Sequence, residues 1–267
     1  MVGLFCMVRK PNNFETWLGY QISLGIDQIF LLVEDTPELK SIIDRYNNVF
    51  AIYDDDSNKK DNYWTLIDRQ KNFWNIVKEK SIQIGLKWLI HSDCDELICC
   101  QKPLSQILSN ISSEFDTIHF DNYEAVYDYD DLENPFLQTN RFKFKKHLSY
   151  GNGKSAVRVN DNMQWIGPHK FRGNRLEINP KEAVILHYES PTFECWYEKF
   201  LTSSDTEGDK INDMPFEFYR DSINMVKSKN KEECREFYNK MKVNNLENTL
   251  ILSWIPLMEN KNIVWTR

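Results

Sequence analysis

The stretch Lys87-Trp88-Leu89-Ile90-His91-Ser92-Asp93-Cys94-Asp95-Glu96-Leu97-Ile98 organises the whole chain. An apolar run ends in three carboxylates within four positions, then turns apolar again. Carboxylates at that density repel one another, and burying them is costly unless something positive pairs with them. In extended backbone, residues two apart point the same way, so Asp93 and Asp95 can share one cation while Glu96 faces elsewhere. Oxygen ligands suit Mg2+ or Mn2+, and a metal on few protein carboxylates can also hold substrate phosphates.

Working outward, apolar strands are expected at 3–8, 29–33, 49–53 and 88–91. Between them, apolar residues at helical spacing predict helices over 14–25, 37–46 and 63–80. This β-α-β-α-β-α-β alternation predicts an α/β fold with a mostly parallel sheet covered on both faces. Ligands of such sheets bind outside the carboxyl ends of the strands. Asp54 ends the third expected strand and Asp93 follows the fourth, which places both at one edge.

The second half changes character. Strands are expected at 116–120, 141–145, 155–159 and 182–187, with a tyrosine- and acid-rich segment, 121–131, between the first two. Helices are expected at 193–201, 217–227 and 232–242, and the polar segment 205–213 as a mobile loop. No repeat or linker divides the chain, so one domain is expected over 1–267. Its nucleotide-binding half would cover about 1–100 and its acceptor half about 101–200, with C-terminal helices over about 192–267.

Composition narrows the function. Hydrophobic residues make up 41% of 267 positions, enough for a large core. The formal net charge of -7 argues against a nucleic-acid binder, which would carry a basic footprint. The six cysteines have no zinc-site spacing. The N-terminus reads as a strand instead of a signal peptide, and no apolar run approaches the ~20 residues of a membrane span. A cytoplasmic protein without a membrane span is the expectation.

The acidic stretch resembles the Asp-x-Asp-Glu motif of glycosyltransferases with the GT-A fold, and is most similar to family 2-like and family 92-like enzymes. Trp17-Leu18-Gly19-Tyr20 and Leu24-Gly25-Ile26-Asp27 resemble their early segments. Arg69-Gln70-Lys71-Asn72-Phe73-Trp74 stands upstream of the acidic motif at about the family distance. Gly167-Pro168-His169-Lys170 and Ile185-Leu186-His187-Tyr188 resemble two downstream histidine segments, and Phe193 to Lys199 the helix that follows. The likeness covers roughly 3–200. It departs at Arg9-Lys10-Pro11-Asn12-Asn13, where the family has Lys-Asn-Glu.

The resemblance implies a nucleoside diphosphate-sugar donor. Val8 and Arg9 would line the base pocket, Asp54 would hydrogen-bond the base, and Gln70 would join the nucleotide contacts. Asp93 would contact ribose and metal, and Asp95 would coordinate the metal. A histidine from the second half would complete the metal shell. His187, at a strand end, is preferred, and His169 is the alternative, with a second role on the donor phosphate beside Lys170. Lys154, Arg158 and Arg172 are further candidates for the diphosphate. An imidazole ligand favours Mn2+ over Mg2+.

The expected reaction moves a sugar, UDP-linked in preference, to the hydroxyl of a glycan, protein or small-molecule acceptor. An inverting enzyme needs a carboxylate base for that hydroxyl. Asp121 and Glu124 follow a strand and are the candidates, with Asp205 and Glu207 as weaker ones. The alternatives are a nucleotidyltransferase, which would want a Gly-rich N-terminal loop, and a non-catalytic carbohydrate-binding relative.

Overall fold

The structure, a computed structural model, describes residues 1–54, 63–207 and 214–253. Strands β1 (Val2–Arg9), β2 (Gln28–Glu34), β3 (Val49–Asp54) and β4 (Trp88–His91) run parallel. They are joined through α1 (Phe14–Ser23), α2 (Lys40–Ile43) and α3 (Tyr63–Gln83). The pleat of β1 sorts its side chains to two cores. Leu4, Cys6 and Val8 pack with Trp17 and Leu18 of α1, whereas Phe5 packs with Phe73, Trp74 and Val77 of α3. Burial on both faces is why β1, β2 and β4 read as unbroken apolar runs.

Beyond β4 the chain forms β5 (Glu96–Cys100), α4 (Leu104–Ser109), β6 (Thr117–Phe120), β7 (Asn122–Ala125), α5 (Pro135–Gln138) and β8 (Arg141–Lys143). Then come β9 (Lys154–Arg158), β10 (Trp165–Gly167), β11 (Lys170–Phe171), β12 (Arg175–Glu177) and β13 (Ala183–His187). Helices α6 (Phe193–Glu207), α7 (Glu217–Ser228) and α8 (Lys231–Lys242) precede β14 (Thr249–Ile251).

The main sheet has the order β12-β6-β9-β4-β1-β2-β3 and is mostly parallel, with β9 antiparallel to both its neighbours. A second sheet has the order β14-β8-β7-β13-β5. The chain therefore passes from the main sheet to the second sheet three times, the last between β12 and β13. The first crossing is the acidic turn between β4 and β5, and the second is Asp121, between β6 and β7. Helices α6, α7 and α8 bury a separate aromatic cluster around Trp196, Phe218 and Tyr238.

Several elements differ from expectation. Residues 37–46 form a 3-10 turn, Pro37–Leu39, and only four helical residues, because just Leu39 and Ile43 are buried there. Strand β7 lies within the acid-rich segment, and its polar side chains are satisfied internally. The Asn122 amide donates to the Tyr150 carbonyl at 2.8 Å. Helix α6 continues through Asp205 to Glu207, so part of the expected loop is helical. The remainder, 208–213, lies outside the described residues, as do Asp55 and Asp56. All six cysteines are free thiols. Among the described residues no helix is long and apolar enough to cross a membrane.

Candidate functional site

The acidic turn is built around Glu96. Its side chain is wholly buried, and one carboxylate oxygen accepts the backbone N–H of Asp93 at 2.8 Å. The other accepts the Tyr150 hydroxyl. Its backbone carbonyl accepts the Trp17 indole at 2.8 Å and the Gln21 amide at 3.1 Å. Glu96 thus pins the turn to α1, and Asp93 and Asp95 are left on the accessible side. Burial pushes the Glu96 carboxyl up to about 7, against the pull of the Lys154 ammonium.

Lys154 opens β9 and is fully buried. Its ammonium pairs with Asp93 and lies 3.5 Å from Glu96. Burial alone would raise the Asp93 carboxyl, but Lys154, with His91, holds it well below the usual carboxylate range. The pairing works reciprocally: burial disfavours the Lys154 charge, yet Asp93 and Glu96 raise its pKa.

Asp95 faces a different partner. Pairing of β13 with β5 sets His187 opposite Glu96, and the Tyr188 N–H donates to the Asp95 carbonyl at 2.8 Å. The His187 Nε2 then stands 3.6 Å from an Asp95 carboxylate oxygen. Burial works against an imidazolium there, but the Asp95 charge outweighs it and raises the His187 pKa. The ring lies against Tyr150, with centroids 4.5 Å apart, and Ser149 Oγ is 3.3 Å from Nδ1. A gap of 3.6 Å is long for a hydrogen bond and suits two ligands of one ion, each at ~2.0–2.6 Å from it.

Asp93, Asp95 and His187 do not draw together as one set. Among the described residues, the single group of three or more potential ligands within 4.8 Å of one another is His119, Asp121 and Glu177. Asp121 and Glu177 each lie 3.8 Å from His119 Nε2, but both are more than half exposed, and Arg175 holds Glu177.

The other expected residues are distributed along the same edge. Val8 is buried in the core, and Arg9 pairs with Asp35 at 2.8 Å. Asp54 sits at the end of β3, three strand spacings from β4, or about 14 Å. With Arg69, Asn72 and Phe73 it borders a cavity of about 330 Å³. The Gln70 side-chain oxygen is buried and finds no partner among the described residues. His169 does not meet Asp95. Its Nδ1 lies 2.7 Å from the Gly153 carbonyl and its ring packs on Tyr150. With Lys170, Asn152, His119 and Arg175 it lines a cavity of about 480 Å³.

Two expectations are corrected. Glu124 cannot present itself to an acceptor, because the pleat of β7 turns it inward. It is 1% exposed, 3.1 Å from Lys242, and it accepts the Leu148 N–H at 2.6 Å. Lys242 also reaches Glu189 at 3.3 Å, and Lys199 reaches Glu189 at 2.9 Å, so Glu124 belongs to a buried ionic cluster. Arg158 is likewise not available for phosphate. It donates to the carbonyls of Ile111, Ser112 and Phe115 and stacks on Trp88, at the opposite end of β4.

Lys154, expected on the donor diphosphate, is instead buried against Asp93 and Glu96, and Tyr150 beside it carried no expected role. Both follow Lys146-His147 in a stretch that looks like a polar turn, Gly151-Asn152-Gly153. Only the pairing of β9 with β4 and β6 carries them to the acidic turn.

No protein-family model matches the chain. Two Arabidopsis thaliana proteins, each named glycosyltransferase-like, match it over 228 residues. One is 27% identical, with 66% of this chain and 44% of its own length covered. The other is 26% identical, with 66% and 51% covered. The chain therefore spans about half the length of these relatives. Among solved structures, S. aureus TarS 1-349 aligns with 91% of this chain and 75% of its own, at 11% identity and a TM-score of 0.39.

Proposed function

We propose that the chain transfers a sugar from a nucleoside diphosphate-sugar, with UDP as the preferred nucleotide, to an acceptor hydroxyl with inversion. Mn2+, or Mg2+ in its place, is the proposed cofactor. The observation that carries this reading is the approach of Asp95 and His187 to 3.6 Å at the carboxyl edge of a mostly parallel sheet. The relatives named glycosyltransferase-like support it.

One carboxylate oxygen and one imidazole nitrogen form a donor set that fits Mn2+. Asp95 and His187 would hold the ion, which when bound supplies Lewis-acid neutralisation of the leaving diphosphate. The protein's own groups do the rest. Glu96 keeps the turn rigid, so Asp95 does not have to be ordered on binding. Asp93 would meet the ribose. Arg9, Asp54 and Gln70 would serve the nucleotide. His169 and Lys170 would reach the donor phosphate from the larger cavity. Asp121, exposed beside His119, which lines that cavity, would accept the proton of the attacking hydroxyl.

The test is release of nucleoside diphosphate across a panel of UDP- and GDP-sugars, with Mn2+ or with chelator. Metal-dependent release, lost in Asp95→Asn, is the expected outcome. Full activity in Asp95→Asn, or no release from any donor, would sink the reading. Pyrophosphate release from a nucleoside triphosphate and a sugar phosphate would point to nucleotidyl transfer instead.

A further inference from the structure

We infer that Lys154 is a resident cation of the acidic turn. It neutralises Asp93 from inside the fold, so that Asp95 and His187 alone hold the divalent ion. The ion then takes its remaining partners from the donor diphosphate and water. This rests on the metal-dependent reading above.

Three observations carry it. The carboxylates are divided: Asp93 and Glu96 share the Lys154 ammonium, whereas Asp95 faces His187. A fully buried lysine is retained only where paired charges offset its lost hydration, and here both partners are carboxylates of the turn itself. Lys154 is also held in place by its neighbours. Gly153, at φ +59°, donates its N–H to Asn122 at 3.0 Å, while its carbonyl lies 2.7 Å from His169 Nδ1. The ammonium is thus a fixed part of the wall, unlike a surface lysine that follows its ligand.

Two protein ligands make a weak site by themselves. Small divalent ions held through one or two carboxylates rely on substrate phosphates for the rest of their shell. The metal and the nucleotide should therefore bind each other's complex far better than the bare protein.

The experiment is Mn2+ binding, followed by loss of the free-ion paramagnetic resonance signal, with and without UDP. Wild type is expected to bind Mn2+ weakly alone and about tenfold or more tightly with UDP. Asp95→Asn should lose binding in both conditions, and Asp93→Asn should stay within about threefold of wild type without UDP, where no ribose contact is at stake. Lys154→Met releases Asp93 and should bind Mn2+ without UDP about tenfold more tightly than wild type. Because Lys154→Met leaves Asp93 and the buried Glu96 uncompensated, the Asp93→Asn/Lys154→Met double variant accompanies it. The double variant should return to the wild-type affinity.

Equal losses in Asp93→Asn and Asp95→Asn without UDP, with wild type still binding Mn2+ and UDP together, would overturn the role of Lys154 alone. A folded Lys154→Met that binds no tighter would do the same. If wild type binds no Mn2+ with UDP or GDP, the metal-dependent reading falls as well.

Discussion

The Trp17 indole donates to the backbone carbonyl of Glu96 at 2.8 Å, and so joins the first helix to the residue that closes the acidic turn. Both side chains are fully buried. Trp17→Phe removes the donor and leaves that carbonyl to the Gln21 amide alone. A loss of about 1–3 kcal/mol is expected, read from urea unfolding. Mn2+ affinity should fall with it, because the turn that aims Asp95 loosens.

Asp95→Asn should reduce sugar transfer by about 100-fold or more, as expected for removal of a group that stabilises developing charge. The same change should lower the His187 pKa in metal-free protein, since Asp95 is what lifts it against burial. Proton resonances of the imidazole followed against pH provide the check. An unchanged His187 titration would separate the two residues.

The buried ionic cluster makes a contrasting prediction. Lys242→Met strands Glu124, leaves Glu189 to Lys199 alone, and should cost about 3–5 kcal/mol, measured by denaturant unfolding. Glu124→Gln should also destabilise. Its turnover number at a temperature where it remains folded should stay near wild type, because the carboxylate faces Lys242 and not the cleft. A collapse of turnover in folded Glu124→Gln would restore it as a base.

Gly153→Ala joins two costs. Its φ of +59° disfavours any side chain, and a Cβ would stand 2.0 Å from the Phe120 carbonyl. The backbone must shift, and Lys154 shifts with it. Thermal melting should drop steeply, and soluble expression should fall relative to Gly167→Ala, where a Cβ meets nothing within 4 Å.

Acid should weaken the fold through His169. Burial and the nearby Lys154 push this imidazole down to about 3, so the folded protein keeps it neutral. The unfolded chain takes up that proton first, near pH 6.5. This contribution is intact above about 6.5 and is lost as pH falls from there towards 3, by at most about 1.4 kcal/mol per pH unit. Plots of Tm against pH should therefore be flatter for His169→Gln than for wild type over that interval.

The parallel half was legible because its signal is local. Apolar runs at β1, β2 and β4, bounded by helical periodicity, state two-sided burial directly, and the carboxylates mark the strand end. His187 could be singled out by the same strand-end logic. The second sheet was harder. Strand β7 reads Asn-Tyr-Glu-Ala, and its burial depends on Lys242, over a hundred residues away in helix α8. A buried Glu124 and an exposed Asp121 look alike in sequence, since each is an acid near a tyrosine. Lys154 was equally hidden. A lysine after Gly-Asn-Gly suggests a turn, and only strand pairing reveals that it points into the protein.

The direction of β9 has a consequence for biosynthesis. Strands β1, β2 and β3 can assemble as they leave the ribosome, since each pairs with a strand adjacent in the chain, and β4 then docks on β1. The acidic turn cannot settle then. Its counter-charge arrives some sixty residues later, on a strand that must slot beside β4 from the opposite direction. Until that happens the nascent domain carries an open sheet edge at β4 and three uncompensated charges, which makes this interval the one most in need of a chaperone.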